Sequence, residues 1–189
     1  MFVFRVTHRR YAKTPLDGEG SFLYGGRWNS VGVRIAYTSG TVALAQLEYL
    51  VGLHEELLPS GLTITGAEIP NDVAVTVVSD NQLPKNWREF PAPVETRAIG
   101  DAWANAAKTA ILSVPSVHVP LGIQGERNLL INPGHAAFRQ IRIREHLPFA
   151  YDERLRKRGE EPKYRLSTTK FPAPARVAGA APHRAPSSI

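Results

Sequence analysis

Val33-Arg34-Ile35-Ala36-Tyr37-Thr38-Ser39-Gly40-Thr41-Val42-Ala43-Leu44-Ala45-Gln46-Leu47-Glu48 is the stretch in which the hydrophobic period changes. Val33, Ile35 and Tyr37 alternate with polar or small neighbours, which predicts a strand over 33–38 with those three side chains on one face. Ser39-Gly40-Thr41 supplies cap residues. Beyond it Leu44, Leu47, Leu50, Val51, Leu57 and Leu58 recur at helical spacing, which predicts a helix from about 42 to 57. Gly52 weakens that helix and Pro59-Ser60-Gly61 ends it. Glu48 interrupts the apolar stripe, on its edge between Leu44 and Val51. A carboxylate in that position either faces a cleft or needs a partner to offset its lost hydration. A structural salt bridge and a catalytic carboxylate both satisfy the pattern.

Upstream, residues 2–7 alternate as a strand, and the segment from there to Gly32 is rich in Gly, Asp, Ser and Arg, as a functional loop is. Within it stands Gly25-Gly26-Arg27-Trp28-Asn29-Ser30-Val31-Gly32. The two glycines let the backbone turn tightly beside Arg27, whose guanidinium suits bidentate binding of phosphate or carboxylate. An ordinary surface arginine with its stem over Trp28 fits the same residues. The run is not a dinucleotide fingerprint, because it precedes a strand and lacks the Gly-x-Gly-x-x-Gly spacing. Tyr37 reads first as a half-buried sheet aromatic. Ser39, ahead of a helix, fits either an N-cap or an anion contact.

Downstream, residues 62–69 and 73–78 read as two strands of a hairpin turning at Asn71-Asp72. Pro84, Pro91 and Pro93 mark a loop before a second helix near 102–109, capped by Asp101. Residues 110–119 read as a buried strand broken by Pro115, a break that exposes the Ser116 hydroxyl. Asn132-Pro133-Gly134 is a turn, and residues 138–143 alternate as a last strand. Strands outnumber helices without regular βαβ alternation, so the fold class is α+β with a mainly antiparallel sheet.

Composition narrows the function. The 189 residues are 43% hydrophobic and 21% charged, the balance of a globular chain with a real core. There is no cysteine, which excludes disulfides, thiolate metal sites and cysteine nucleophiles. The six histidines show no metal-ligand spacing, so no metal site is expected. Neither Ser113 nor Ser116 lies in a Gly-x-Ser-x-Gly elbow. Neither a signal peptide nor a membrane span is visible, and the expected location is cytoplasmic. Of the net charge of +6, residues 152–189 carry +5, from nine Lys and Arg against four acids. The nearly neutral body weakens a nucleic-acid-binding reading, although a binding module acting through the basic tail stays open. The expected division is 1–150 as the folded domain and 151–189 as a basic, Pro/Ala-rich, flexible tail.

The order of these blocks resembles the RES domain, named for its Arg, Glu and Ser. The resemblance rests on Gly25-Gly26-Arg27-Trp28-Asn29-Ser30-x-Gly32, Ala36-Tyr37-Thr38-Ser39, and Ala43-Leu44-Ala45-x-Leu47-Glu48. It continues in Ile99-Gly100-Asp101-x-Trp103, Val114-Pro115-Ser116, Glu126-x-Asn128 and Asn132-Pro133-x-His135. It covers about residues 1–145. The resemblance implies a fold like that of ADP-ribosyltransferase toxins, with a mixed, mainly antiparallel sheet core and a few flanking helices. It also implies a toxin that attacks NAD by hydrolysis, phosphorolysis or transfer of ADP-ribose to a protein. Arg27 would bind the NAD phosphates, Tyr37 would contact the nicotinamide end, and Glu48 would act at the scissile bond. Ser116 would orient the ribose or nicotinamide, with Asn128 completing the pocket, and Ser39 ahead of the helix is the further candidate for contacting the bound NAD. NAD would be substrate, with no prosthetic group. The implied partners are an Xre-type antitoxin and a possible protein acceptor of ADP-ribose, with homo-oligomers possible inside the antitoxin complex. Neither nucleic acid nor membrane is expected as a partner of the toxin itself.

Overall fold

Strands rich in alternating Val, Ile, Leu and Phe assemble into one sheet. Among the described residues it has seven strands: β1 (Phe2–His8), β2 (Ala36–Ser39), β3 (Leu62–Glu68), β4 (Val75–Val77), β5 (Ile111–Pro115), β6 (Arg127–Ile131) and β7 (Arg142–Phe149). Their order is β4-β5-β6-β2-β1-β3-β7, with β4–β5 the parallel pair and the other neighbours antiparallel. Three α-helices among the described residues flank the sheet: α1 (Glu19–Tyr24), α2 (Val42–Val51) and α3 (Val94–Ala106). The computed structural model describes residues 1–53, 58–123 and 125–157. The α+β class and mainly antiparallel sheet are as the sequence predicts. No helix among the described residues is long and apolar enough to cross a membrane.

Register places the core on both faces of the sheet. Ala36 stands opposite Ile131, which stands opposite Ile111, and these three pack with Val3, Ile69 and Leu129 on one side. One residue along, Tyr37 stands opposite Leu130 and Leu130 opposite Leu112. This second row packs with Trp28, Ile35, Val114 and Trp103 of α3. Further along the sheet, Val6 and Leu62 meet Ala45 and Tyr49 of α2.

Several elements depart from the sequence expectations. β2 begins at Ala36 instead of residue 33, although Val33, Ile35 and Tyr37 do share one hydrophobic cluster. α2 stops at Val51 with Gly52 as its C-cap, and residues 54–57 of the longer expected helix lie outside the described residues. The expected hairpin does not form: β3 pairs with β1 and β7, while β4 joins β5 in parallel. The second helix starts eight residues before the expected one, and Asp101 lies inside it instead of capping it. Its carboxylate instead takes the Ser30 backbone N–H at 2.9 Å and the Ser30 hydroxyl at 2.6 Å. β5 ends at Pro115, earlier than residue 119, and β6 is a strand the sequence reading missed. Residues 136–140 form a 3₁₀ turn, and the last strand begins only at Arg142. The tail beyond Lys157 lies outside the described residues.

Two features of this architecture prepare a site. β1 and β2 share a single register pair, Phe4 with Ser39, and then part, which leaves a gap in the middle of the sheet. Beside that gap, the 25–32 loop is pinned against α3. A Cβ at Gly100 would stand 1.7 Å from the Trp28 carbonyl oxygen, so helix and loop approach as closely as only glycine permits. Asn29, fully buried, donates to the carbonyls of Ser21, Ser30 and Val33 and fixes the loop from inside. Replacing Gly100 by Ala therefore forces the backbone of α3 away from Trp28. The expected cost is about 1–3 kcal/mol of unfolding free energy, the scale of overpacking in a close-packed interior. Denaturant unfolding of Gly100→Ala against the parent chain measures it, and an unchanged midpoint would contradict the close approach.

Candidate active site

A half-buried carboxylate with two side-chain donors on one oxygen organises the cleft. α2 starts where Thr41, in extended conformation, accepts the Leu44 N–H on its Oγ1 at 3.1 Å. Leu44 and Ala45 anchor the first turn in the core, and one turn later Glu48 projects from the same side toward the ends of β5 and β6. Ser116 Oγ donates to Glu48 Oε1 at 2.6 Å, and Asn128 Nδ2 donates to the same oxygen at 2.6 Å. The Asn128 amide is oriented in turn by Ser39, whose Oγ donates to Asn128 Oδ1 at 2.8 Å. Glu48 Oε2 faces His118 Nε2 at 3.5 Å.

A cleft of about 220 Å³ opens on this carboxylate. Phe4, Arg5, Tyr37, Glu48, Tyr49 and Asn128 are among its walls. It lies where β1 and β2 diverge. Arg5 occupies that divergence, with Nη1 3.4 Å from the Tyr37 carbonyl oxygen. Burial lowers the Arg5 guanidinium pKa, opposed by the distant charge of Asp17. The site therefore holds a second partly desolvated cation, which the sequence reading missed. The available signal was a charge inside the otherwise apolar run Phe2-Val3-Phe4-Arg5-Val6.

Tyr37 is tied to the glycine loop. Its hydroxyl donates to Asn29 Oδ1 at 2.7 Å and accepts the Trp28 N–H at 3.0 Å. Burial raises this phenol well above the ordinary tyrosine range, with the Trp28 N–H acting in the opposite direction. Gly26 is required at this contact, because a Cβ there would stand 2.6 Å from the Tyr37 hydroxyl oxygen. Arg27, next in the chain, is half-buried, and its Nη1 donates to the carbonyls of Trp87 (2.6 Å) and Glu89 (3.0 Å). Burial lowers its pKa, while Glu48 and then Tyr37 favour the charged form. Arg27 thus feels the charge of Glu48, and two backbone carbonyls of the 87–89 segment hold it in place.

The structure brings together five of the six sequence-named residues around one carboxylate or its cleft: Tyr37, Ser39, Glu48, Ser116 and Asn128. Arg27 flanks them outside the walls of that cleft. Pro115 ends the β5 ladder opposite Arg127, as expected, but Ser116 is buried at 1% exposure and not presented to solvent. Its hydroxyl serves Glu48 instead. Ser39 also acts through a neighbour, Asn128. Chemically, the arrangement supplies a carboxylate held in one orientation, two arginines at different sides, and an aromatic wall. That set suits a bound group that develops positive charge and carries anionic substituents.

A model of the RES domain matches residues 2–152. A protein of Sphingobium sp. (strain YBL2) named Prs ADP-ribosylating toxin is 39% identical over 149 residues, covering 78% of this chain and 90% of that protein. Toxin Res of Yersinia enterocolitica serotype O:8 / biotype 1B is 36% identical over 157 residues, covering 82% of this chain and all of that protein. Among solved structures, a chain of the M. tuberculosis MbcT-MbcA toxin–antitoxin complex superposes with a TM-score of 0.61 at 18% identity. The match covers 79% of this chain and 84% of that one, and at this identity it speaks to fold alone.

The buried phenol gives a pH prediction. A tyrosine whose folded pKa is raised favours folding below the ordinary value of about 10, and that contribution is lost as pH climbs through the folded value. Burial sets Tyr151 in the same direction, at about 12. In an absorbance titration of phenolate, Tyr37→Phe should remove one tyrosine from the late-ionising group and leave the early group unchanged. Its stability should also fall less steeply above pH about 10 than that of the parent. Loss of an early-ionising tyrosine instead would contradict the burial assigned to Tyr37.

Proposed function

This chain belongs to the RES domain family, and from that premise we propose that it is the toxin of a toxin–antitoxin pair that cleaves the nicotinamide–ribose bond of NAD. The observation that carries the reading is the Glu48 carboxylate, fixed by Ser116 and Asn128 at the wall of the cleft beside Tyr37.

Breaking that bond leaves positive charge on the ribose, and a carboxylate in a partly desolvated cleft stabilises an oxocarbenium-like transition state. Its value depends on preorganisation. The two donors on Oε1 hold Glu48 before substrate arrives, so little reorganisation is needed when charge develops. The bonding electrons leave with nicotinamide, which departs neutral and needs no general acid. The pyrophosphate of NAD requires cations. Arg5 in the cleft wall and Arg27 beside it are the guanidiniums we assign to it, Arg5 being an addition to the sequence assignment. Tyr37 offers its ring to the nicotinamide end, while its hydroxyl is occupied by Asn29 and Trp28.

The same cleavage serves a second outcome, transfer of ADP-ribose to a protein. The relative named Prs ADP-ribosylating toxin, 39% identical to this chain, favours that outcome. Water and protein differ only in what attacks the ribose after nicotinamide leaves, so the two readings share the Glu48 chemistry. The solved neighbour is part of a toxin–antitoxin complex, which supports a protein antitoxin as partner, of Xre type on the sequence resemblance.

With purified protein and NAD, Glu48→Gln should lower nicotinamide release by roughly a hundredfold or more. Ser116→Ala and Asn128→Ala should each lower it about tenfold or more, the kinetic equivalent of losing a hydrogen bond to a charged group worth about 1.5–3 kcal/mol. All three should keep the parent's circular dichroism. Release by Glu48→Gln at the parent rate would overturn the assignment. Label retained on a protein after incubation with labelled NAD and cell lysate selects transfer; free ADP-ribose alone selects hydrolysis.

A further inference from the structure

We propose that His118 is a positioning residue for the reaction at Glu48, holding both the serine and the carboxylate of that pair. The proposal rests on the NAD-cleaving reading above and adds a residue to its machinery.

The backbone and ring of His118 act on different atoms of the same pair. Its N–H donates to Ser116 Oγ at 3.0 Å. A hydroxyl has one proton to give. With its oxygen already accepting from His118, Ser116 directs that proton to Glu48 Oε1 at 2.6 Å. The ring then faces the other oxygen, Nε2 lying 3.5 Å from Oε2. This matters because the terminal torsion of a glutamate is broad and roughly two-fold. Two donors on Oε1 fix one oxygen but leave the carboxylate plane a rotation about it. The imidazole edge, with Nε2 3.5 Å from Oε2, limits that rotation and, in the tautomer that carries its proton on Nε2, sets the direction in which Oε2 meets a ligand.

The loop carrying His118 is itself clamped. β5 ends at Pro115, so residues 117–119 have no strand partner to hold them. Arg88 takes over that task, donating from Nη1 to the Val117 carbonyl at 2.8 Å and from Nη2 to the Val119 carbonyl at 3.3 Å. These carbonyls bracket His118 on either side. The Arg88 guanidinium also lies over the Trp87 ring, 4.5 Å from its centroid, while Arg27 binds the Trp87 and Glu89 carbonyls. One short segment, 87–89, therefore ties the Arg27 loop to the His118 loop. Glu48 from α2 faces the imidazole, and Arg88 holds the carbonyls on either side of it.

The test compares His118→Ala, His118→Gln and Arg88→Ala in the full chain, with nicotinamide release from NAD as one readout. The second readout is the Glu48 side-chain carboxyl carbon resonance recorded without NAD. His118→Ala should lower kcat about tenfold with KM for NAD within about twofold, the signature of lost orientation with ground-state binding kept. His118→Gln restores a neutral N–H donor and should recover most of kcat. Arg88→Ala, with the imidazole intact, should reproduce the kcat loss by freeing the loop. The Glu48 resonance should move in His118→Ala and return in His118→Gln. A parent-like kcat in His118→Ala, or no recovery in a folded His118→Gln, would overturn the proposal while leaving the NAD reading intact. A parent chain that releases no nicotinamide would contradict the NAD reading, and the resonance would then decide the contact. An unmoved resonance in His118→Ala would overturn it.

Discussion

The structure of the site depends on one shared oxygen, Glu48 Oε1, on which Ser116 and Asn128 converge at 2.6 Å each. Ser116 follows the end of β5, Asn128 belongs to β6, and Glu48 comes from α2. These elements are distant in sequence, and their meeting point stitches the helix to the sheet. A half-buried carboxylate without such donors would be costly, because lost hydration must be replaced by hydrogen bonds. With them it becomes a fixed negative charge at the wall of a cleft. The same bonds that make the charge tolerable also make it oriented.

The cleft exists because the sheet is incomplete at its centre. β1 and β2 touch at Phe4 and Ser39 and then separate, so Arg5 and Tyr37 line an opening instead of closing a ladder. Irregular backbone fills the space beside it. The 25–32 loop is held by the Asn29 amide, by Asp101 through Ser30, and by the close approach of Trp28 to Gly100. Each of these contacts is made within the protein itself. Arg27 and Tyr37 are therefore held by the fold itself, as preorganised electrostatics requires of the proposed site.

Much of this was legible in the sequence wherever local chemistry decided the outcome. The change of period across Thr38 to Leu44 gave β2 and α2, and Glu48 stood out because a charge interrupted an apolar stripe. Misreadings arose where partners distant in the chain decided. Residues 62–69 and 73–78 looked like a hairpin, but β3 was taken by β1 and β7, whose pairing no local signal announces. β6 escaped notice because Arg127-Asn128-Leu129-Leu130-Ile131 is short and begins with two polar residues. Those same polar residues serve Ser113 and Glu48. Asp101 looked like a helix cap because aspartate favours that position, yet it binds Ser30, seventy-one residues away. The roles of Arg5 and His118 were hidden for the same reason, since each is defined by what the fold brings opposite it.

The central claim is that the fixed Glu48 carboxylate meets the ribose of NAD. The most direct measurement is a crystal structure of Glu48→Gln grown with intact NAD. The account predicts the nicotinamide ribose within hydrogen-bond reach of the side chain at position 48, with the pyrophosphate between Arg5 and Arg27. A dinucleotide bound elsewhere, or one whose ribose points away from Ser116 and Asn128, would contradict it.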